Sequence, residues 1–476
     1  MKNHLYIILL VLPLIGFGQG WEQPYGENGY EEGFDIEQTN DGGFVVVGTT
    51  NIEDIESDSK NIYITKMDEN GNLEWSQIFG NDQLCEGWDN ECDNYLGYDI
   101  EQTFDGGFII CGTIEDFSSD SDGNEIILIK TDVNGVEEWS QIFGGDNDLN
   151  GYSVEQTLDG GYIISVIQYI IQGELLLLLK TDNNGNEQWT QTFNHSNYSY
   201  GYNGVYSVKQ TDDEGYVFVG YRRFLHDNNY GLNTTNDLLI VKTDDNGNEE
   251  WVTIVGGPIT PNNNLGDGSY DYPNERGFHI ENTVEGGYII SGSKYSFDTS
   301  SNSIYVVKLN NQGNVMWEQE YDGYGEPDGP VGRTIKPTLD GGYIVCGSIY
   351  IDNNFYYGLI KIDENGIEEW TQLYSGLGSL YISYDVEQTI DGGYVLCGTS
   401  FVDQIYYGGN YYIYIIKTDS EGNVETTSTI ELPTPTSKRE LVKTTNILGQ
   451  ENSTIKNQPM IEIYDDGSVE KKYIIE

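Results

Sequence analysis

The stretch Gly97-Tyr-Asp-Ile-Glu-Gln-Thr-Phe-Asp-Gly-Gly-Phe-Ile-Ile-Cys-Gly-Thr113, followed by Ile126-Ile-Leu-Ile-Lys-Thr-Asp-Val-Asn-Gly135 and closed by Glu138-Trp139, is written seven times along the chain with variations. Its Asp/Glu-Gly-Gly turn recurs at Asp41, Asp105, Asp159, Glu285, Asp340 and Asp391, with a degenerate copy at Asp213-Glu214-Gly215. Downstream, Lys-x-Asp-x-x-Gly-x-x-x-Trp runs from Lys66 to Trp75, Lys130 to Trp139, Lys180 to Trp189, Lys242 to Trp251 and Lys361 to Trp370; the copy from Lys308 to Trp317 carries Asn310 in place of the Asp. A period of roughly 50–70 residues marks a repeat architecture in which each unit buries its faces only against its neighbours.

Each unit reads as four short strands. Tyr98-Asp-Ile-Glu-Gln-Thr103 alternates, Gly107-Phe-Ile-Ile-Cys111 and Glu125-Ile-Ile-Leu-Ile-Lys130 are apolar runs, and Glu138-Trp-Ser-Gln-Ile-Phe143 alternates again. Asp-Gly-Gly and Asp-x-Asn-Gly supply the tight turns between them. Four antiparallel strands repeated radially predict an all-β, seven-bladed β-propeller. The seventh unit, from Tyr384 to Asn423, lacks its Trp: Thr426 and Thr427 stand there instead. The missing strand lies at the other end of the chain, as Trp21-Glu-Gln-Pro-Tyr-Gly26. The N-terminal strand is therefore expected to complete the last blade and remove both free edges.

The Lys-x-Asp-x-x-Gly-x-x-x-Trp element resembles the tryptophan-docking motif of quinoprotein-type propellers and the Asp-box of sialidase-type propellers. Its spacing departs from each by about one residue, so the resemblance implies a structural staple and carries over neither activity. Trp21, Trp75, Trp139, Trp189, Trp251, Trp317 and Trp370 then act as blade-to-blade wedges, each burying on the order of 150–250 Å².

The 476 residues divide into 1–18, 19–424, 425–437 and 438–476. The first part reads as a signal peptide: Lys2, an apolar core from Leu5 to Ile15, and a Gly16-Phe-Gly18 cleavage site. No later apolar run is long enough for a transmembrane anchor. The ring follows, then an extended Pro/Thr linker, Glu425 to Ser437. The last part holds four strand-like runs or turns, enough for a small β module. Lys438-Arg-Glu-Leu441, Asn446-Ile-Leu-Gly-Gln450, Pro459-Met-Ile-Glu-Ile-Tyr-Asp-Asp-Gly-Ser-Val-Glu-Lys-Lys472 and the final Ile-Ile-Glu476 look like the β-sandwich-like C-terminal sorting domain of type IX secretion substrates from Bacteroidetes-type bacteria. That resemblance implies passage through the type IX machinery to the outer cell surface, then release or attachment there.

Charge excludes one class of partner. With 78 acidic against 22 basic side chains and a formal net charge of −56, the chain lacks the clustered Lys/Arg that nucleic acid or an anionic membrane needs. Cys85 and Cys92 share one insertion, where an exported protein favours a local disulfide over a metal pair. Cys111, Cys346 and Cys397 occupy one repeat position and read as small buried residues. His195, His226 and His279 fall in no hydrolase or metalloprotease motif.

Two kinds of site remain open. Asp68-Glu-Asn-Gly-Asn72, Asp182-Asn-Asn-Gly-Asn186, Asp244-Asp-Asn-Gly-Asn248 and Asp363-Glu-Asn-Gly366 cluster oxygens as Ca²⁺ sites do, although hairpin turns explain them too. The loop with Asp116, Asp120, Asp122 and Asn124 is the best Ca²⁺ candidate, beside a solvated acidic loop. Tyr200, Tyr202, Tyr270, Tyr272, Tyr406 and Tyr407 lie in Tyr-rich loops that could stack on sugars or simply line a rim, and Trp88 is the one Trp outside the repeat register. The Asp-Gly-Gly and Asp-x-Asn-Gly turns share one face. Unlike loops, 51–60, 81–94, 114–124, 222–236, 258–274 and 401–410, share the other and are expected to form the binding surface. The expected function is a secreted or surface binding module for a polysaccharide or envelope protein. A carboxylate-dependent glycoside hydrolase or lyase and a purely structural envelope role stand as alternatives, since acidic residues abound but no pair stands out.

Overall fold

A computed structural model describes residues 20–26, 30–51, 59–80, 93–115, 123–145, 147–171, 173–195, 203–228, 231–256, 260–261, 270–271, 274–296, 301–321, 332–351, 354–376, 380–402 and 410–424, and then 441–446, 459–464 and 469–473. Among these residues there is no helix, and none is therefore long and apolar enough to cross a membrane.

Seven four-stranded antiparallel sheets form a β-propeller, the number and architecture expected from the repeat. In blade 2 the strands are Asn94–Gln102, Phe108–Glu115, Glu125–Thr131 and Glu137–Phe143, and the other blades repeat this order. Blade 7 takes three strands from Leu380–Gln388, Tyr394–Val402 and Asn410–Thr418 and its fourth from Trp21–Tyr25. That strand runs antiparallel to its neighbour, with Trp21 opposite Lys417 and Tyr25 opposite Ile413. No blade is left with an unpaired fourth position, which is how a toroid disposes of its sheet edges.

Seven apolar clusters fill the seams between consecutive blades. The seam at the closure holds Tyr25, Ile36, Phe44, Val46, Met67, Val395, Cys397, Ile413 and Ile415, so the chain ends build a core like those elsewhere. Cys111, Cys346 and Cys397 are buried, unpaired members of three such clusters.

Each indole of the repeat lies on the hairpin turn of the next blade. Trp75 lies against Gly135, whose φ is +73° and where a Cβ would come within 2.5 Å of the ring; Trp21 covers Gly71 in the same way across the closure. A side chain at either glycine would meet both a forbidden backbone region and an indole. Each ring also packs near the aromatic residue that opens the next blade's second strand, with Trp21 6.0 Å from Phe44 and Trp139 5.9 Å from Tyr162.

The motif's Lys is buried, which the sequence pattern alone did not reveal. Lys130 Nζ reaches Asp105 of the Asp-Gly-Gly turn at 3.1 Å, Glu138 beside the Trp at 3.1 Å, and the Thr131 carbonyl at 2.8 Å. The same cage surrounds Lys66, Lys242 and Lys361, while Gln188 replaces the Glu beside Lys180. Burial pushes the Asp105 carboxyl up, but hydrogen bonds from Thr103, the Gly107 N–H and Lys130 outweigh it and hold the group below its ordinary range.

Two segments differ from expectation. Residues 222–236 were expected as a loop, yet Tyr216–Asn228 and Gly231–Thr243 pair without interruption to Asn228 opposite Gly231, so blade 4 projects a long hairpin. Within 258–274, Thr260–Pro261 and Tyr270–Asp271 form a short two-stranded ribbon. The C-terminal unit, described by itself, shows one antiparallel sheet of Leu441–Asn446, Pro459–Tyr464 and Val469–Tyr473. Its expected run at 447–450 lies outside the described residues.

Candidate functional site: the central channel

The first strand of each blade walls the axis of the ring, and every one of them carries a β-bulge at the same place. The register slips between Gly33 and Asp35, Gly97 and Asp99, Gly151 and Ser153, Val205 and Ser207, Gly277 and His279, Gly332 and Thr334, and Ser383 and Asp385. A bulge inserts one residue and re-aims its side chain. Here both the inserted residue and the one after it line a central cavity of about 1210 Å³.

The inserted residues make a belt: Phe34, Tyr98, Tyr152, Tyr206, Phe278, Arg333 and Tyr384. Neighbouring rings touch in an unbroken run from Tyr384 to Phe278, with centroid separations of 5.6 Å for Phe34–Tyr98, 5.4 Å for Tyr98–Tyr152, 5.5 Å for Tyr152–Tyr206, 5.3 Å for Tyr206–Phe278 and 4.9 Å for Tyr384–Phe34. Arg333 fills the one gap, its guanidinium 5.7 Å from the Phe278 ring and 4.8 Å from the Tyr384 ring. These are cation–π distances.

The next layer is Asp35, Asp99, Ser153, Ser207, His279, Thr334 and Asp385. Asp35 accepts from the Ile100 N–H at 2.9 Å, Asp99 from Val154 at 2.6 Å and Asp385 from Ile36 at 3.2 Å, so these carboxyls staple one blade's inner strand to the next. Burial, then the nearby Asp385 and Asp99 charges, push the Asp35 carboxyl well above its ordinary range. The buried His279 imidazole is driven down to about 3 by desolvation and by Lys336, and stays neutral.

Nearest the Asp-Gly-Gly turns lies a third layer: Glu37, Glu101, Glu155, Lys209, Glu281, Lys336 and Glu387. It has two halves. Lys209–Glu281 at 3.3 Å, Glu281–Lys336 at 3.0 Å and Lys336–Glu387 at 2.9 Å form a paired arc. Burial would raise Glu281, but the two lysines overcome it and hold the carboxyl at about 2. Glu37, Glu101 and Glu155 form the other arc and accept N–H bonds from Gln102, Gln156 and Gln210. Desolvation raises them to about 8, 7 and 8. The channel thus sets carboxyl groups raised by burial opposite one that its two lysines hold down.

The turn face also differs from a bare scaffold. Phe104, Leu158, Val284, Leu339 and Ile390, each the second residue of a Thr-x-Asp/Glu-Gly-Gly turn, are 71, 69, 94, 82 and 76% exposed. Val284, Leu339 and Ile390 line the cavity, giving it an apolar mouth on the face of the uniform turns.

The residues proposed from sequence are placed elsewhere or not described. Trp88, Cys85, Cys92, Tyr200, Tyr202, Tyr272, Tyr406, Tyr407, Asp116, Asp120 and Asp122 lie outside the described residues, and Tyr270 is placed only by its pairing with Pro261. Asn124 donates to Asn150 Oδ1 at 3.0 Å. In the Asp-x-Asn-Gly turns the carboxylate closes the hairpin: Asp68 Oδ1 accepts from the N–H of Asn70 at 2.9 Å and of Asn72 at 2.8 Å. Among the described residues no three His, Cys, Asp or Glu side chains are grouped to hold a metal ion. His195 Nε2 lies 3.0 Å from Glu249 Oε2, and His195 is not among the residues that line the cavity. The channel constellation was missed because the inner strand was read only as an alternating strand. Stacking the seven first strands in columns would have found it.

No family model and no curated protein matches the chain. Solved structures do resemble it. The polysaccharide lyase Uly1 aligns with a TM-score of 0.47 at 11% identity, covering 83% of this chain and 91% of that one. The β-propeller domain of the Trilobed protease from Pyrococcus furiosus aligns with 0.43 at 10% identity, covering 85% and 99%. A putative exo-β-1,3-galactanase from Bifidobacterium bifidum aligns with 0.35 at 12% identity, covering 61% and 92%.

Proposed function

We propose that this chain is a binding module, exported by the type IX route to the outer cell surface, whose ring takes a saccharide into its central channel. The observation that carries the reading is the two-ring wall of one cavity: six aromatic side chains at one level and a circle of carboxyl and ammonium groups below it. Aromatic faces with a few convergent polar groups are what a hydroxyl-rich ligand needs. A glycan array probed with the ring, residues 19–424, is expected to give a discrete set of hits that fall away when Tyr98 and Tyr152 are both changed to Ala. An array without hits overturns the reading. A second reading, a carboxylate-dependent hydrolase or lyase, is favoured by Glu101, held near 7 by desolvation in the same channel as the ionised Glu281. Chain shortening of an array hit on incubation separates it from binding alone.

Export rests on the C-terminal sequence resemblance. Removing 438–476 is expected to leave the protein in the periplasm while its melting temperature stays unchanged; normal surface display of the truncated protein rejects the assignment.

A further inference from the structure

The geometry points to Arg333 as the anion-recognising residue of the channel, and so to an acidic saccharide, one bearing a carboxylate or a sulfate ester, as the ligand class. This deepens the binding reading above and rests on it. Six of the seven belt positions are aromatic, and Arg333 alone breaks the pattern with a cation. Its guanidinium makes no ion pair with any carboxylate among the described residues, and its buried Nε has no hydrogen-bond partner. Only ring faces hold it, those of Phe278 and Tyr384.

That is unexpected in a chain with 78 acidic and 22 basic side chains. Lys209 and Lys336, two layers below, are each claimed by Glu281 or Glu387. A guanidinium presents five donors in a planar fork and loses solvation when an Nε is buried, so an empty fork costs stability unless an anion completes it. Stacking on two rings keeps the plane fixed without using a donor. Arg333 is partly exposed and faces the cavity, so the fork can receive a group from within it.

The surroundings select what carries the anion. Belt rings on either side offer the edges and faces against which a pyranose packs, and the Glu and Lys layer offers hydrogen-bond partners for hydroxyls. Blades 4 and 6 place Lys209, Arg333 and Lys336 on one side of the axis, which offsets the acidic field of the whole molecule at that point. A carboxylate or sulfate on Arg333, with its sugar ring along the belt, satisfies every one of these groups.

Isothermal titration of the intact ring with matched neutral, uronate-containing and sulfated oligosaccharides tests this. Acidic sugars are expected to bind at least about tenfold tighter than the neutral ones, the worth of a charge-assisted hydrogen bond. Arg333→Gln is expected to weaken acidic sugars about tenfold more than neutral ones and so remove that preference, and Arg333→Lys to restore part of it, with the melting curves of both variants reporting on folding. The carboxylate and sulfate arms separate the two sources of charge. Equal affinity for acidic and neutral sugars, or an equal loss of both in Arg333→Gln, overturns the inference and leaves the binding reading standing. Binding of none of the three overturns both.

Discussion

Deleting residues 21–25 lowers the unfolding free energy of the ring by roughly 3–5 kcal/mol and makes it self-associate. The strand they form pairs with Asn410–Thr418 over its whole length. Its removal exposes that strand as a new edge, a template for another chain. It also takes away Trp21 from above Gly71 and Phe44, Tyr25 from the closing cluster, and the bond from the Tyr25 hydroxyl to the Gly71 carbonyl at 2.5 Å. Two aromatic side chains of this size are worth several kcal/mol of burial at about 25 cal/mol per Å², and the ordering entropy of five residues takes part of it back. Denaturant melts and sedimentation velocity read the two effects. A synthetic peptide of residues 20–26 is expected to restore the melt, because the groove it fills is otherwise complete. An unchanged melt, or a loss that the peptide does not reverse, removes the closure from the account of stability.

How much of this was legible in the sequence depended on what repeats. Trp75, Trp139 and their equivalents sit at one spacing in six units, the glycines under them recur in all seven, and the seventh Trp stands at position 21, so blade number and closure could be counted from residue types alone. The Lys cage was half legible: Lys130 and Glu138 recur together, but nothing in a one-dimensional pattern says that the ammonium is buried and that Asp105, 25 residues earlier, faces it. The channel was hidden for a different reason. Its residues vary at each level, Asp35 against Ser153 against His279, because the axis is where identical blades must present unlike groups. Propellers generally diversify in the loops of one face. In this ring diversity also sits on the inner strands, and the bulge that re-aims Phe34, Tyr98 or Arg333 leaves no mark in the sequence beyond one extra residue.

The second large effect comes from that axis. Glu37, Glu101 and Glu155 have folded-state values of about 8, 7 and 8, raised chiefly by desolvation from an ordinary 4.5. An acid whose value is raised by folding favours the folded state fully below its unfolded value and loses that advantage as pH climbs through the folded one. With respect to these groups the ring is therefore most stable below about pH 4.5 and weakens steadily from there up to pH 8, by on the order of 5 kcal/mol for the three together once channel water is allowed for. The cage carboxyls do not cancel this: Asp41, Asp105 and their equivalents are lowered, so their contribution is lost only under more acidic conditions, outside the window. Replacing all three glutamates by Gln keeps an acceptor for the N–H groups of Gln102, Gln156 and Gln210 and removes the titration. The triple variant is expected to match the wild type at pH 4.5, to melt well above it at pH 8.5, and to show a much shallower profile between, what is left belonging to Asp35 and Glu387, which burial also raises. A wild-type profile that is already flat there, or a variant shifted equally at both pH values, means that the carboxyls of this arc are ionised and solvated, and that the neutral half of the channel does not exist.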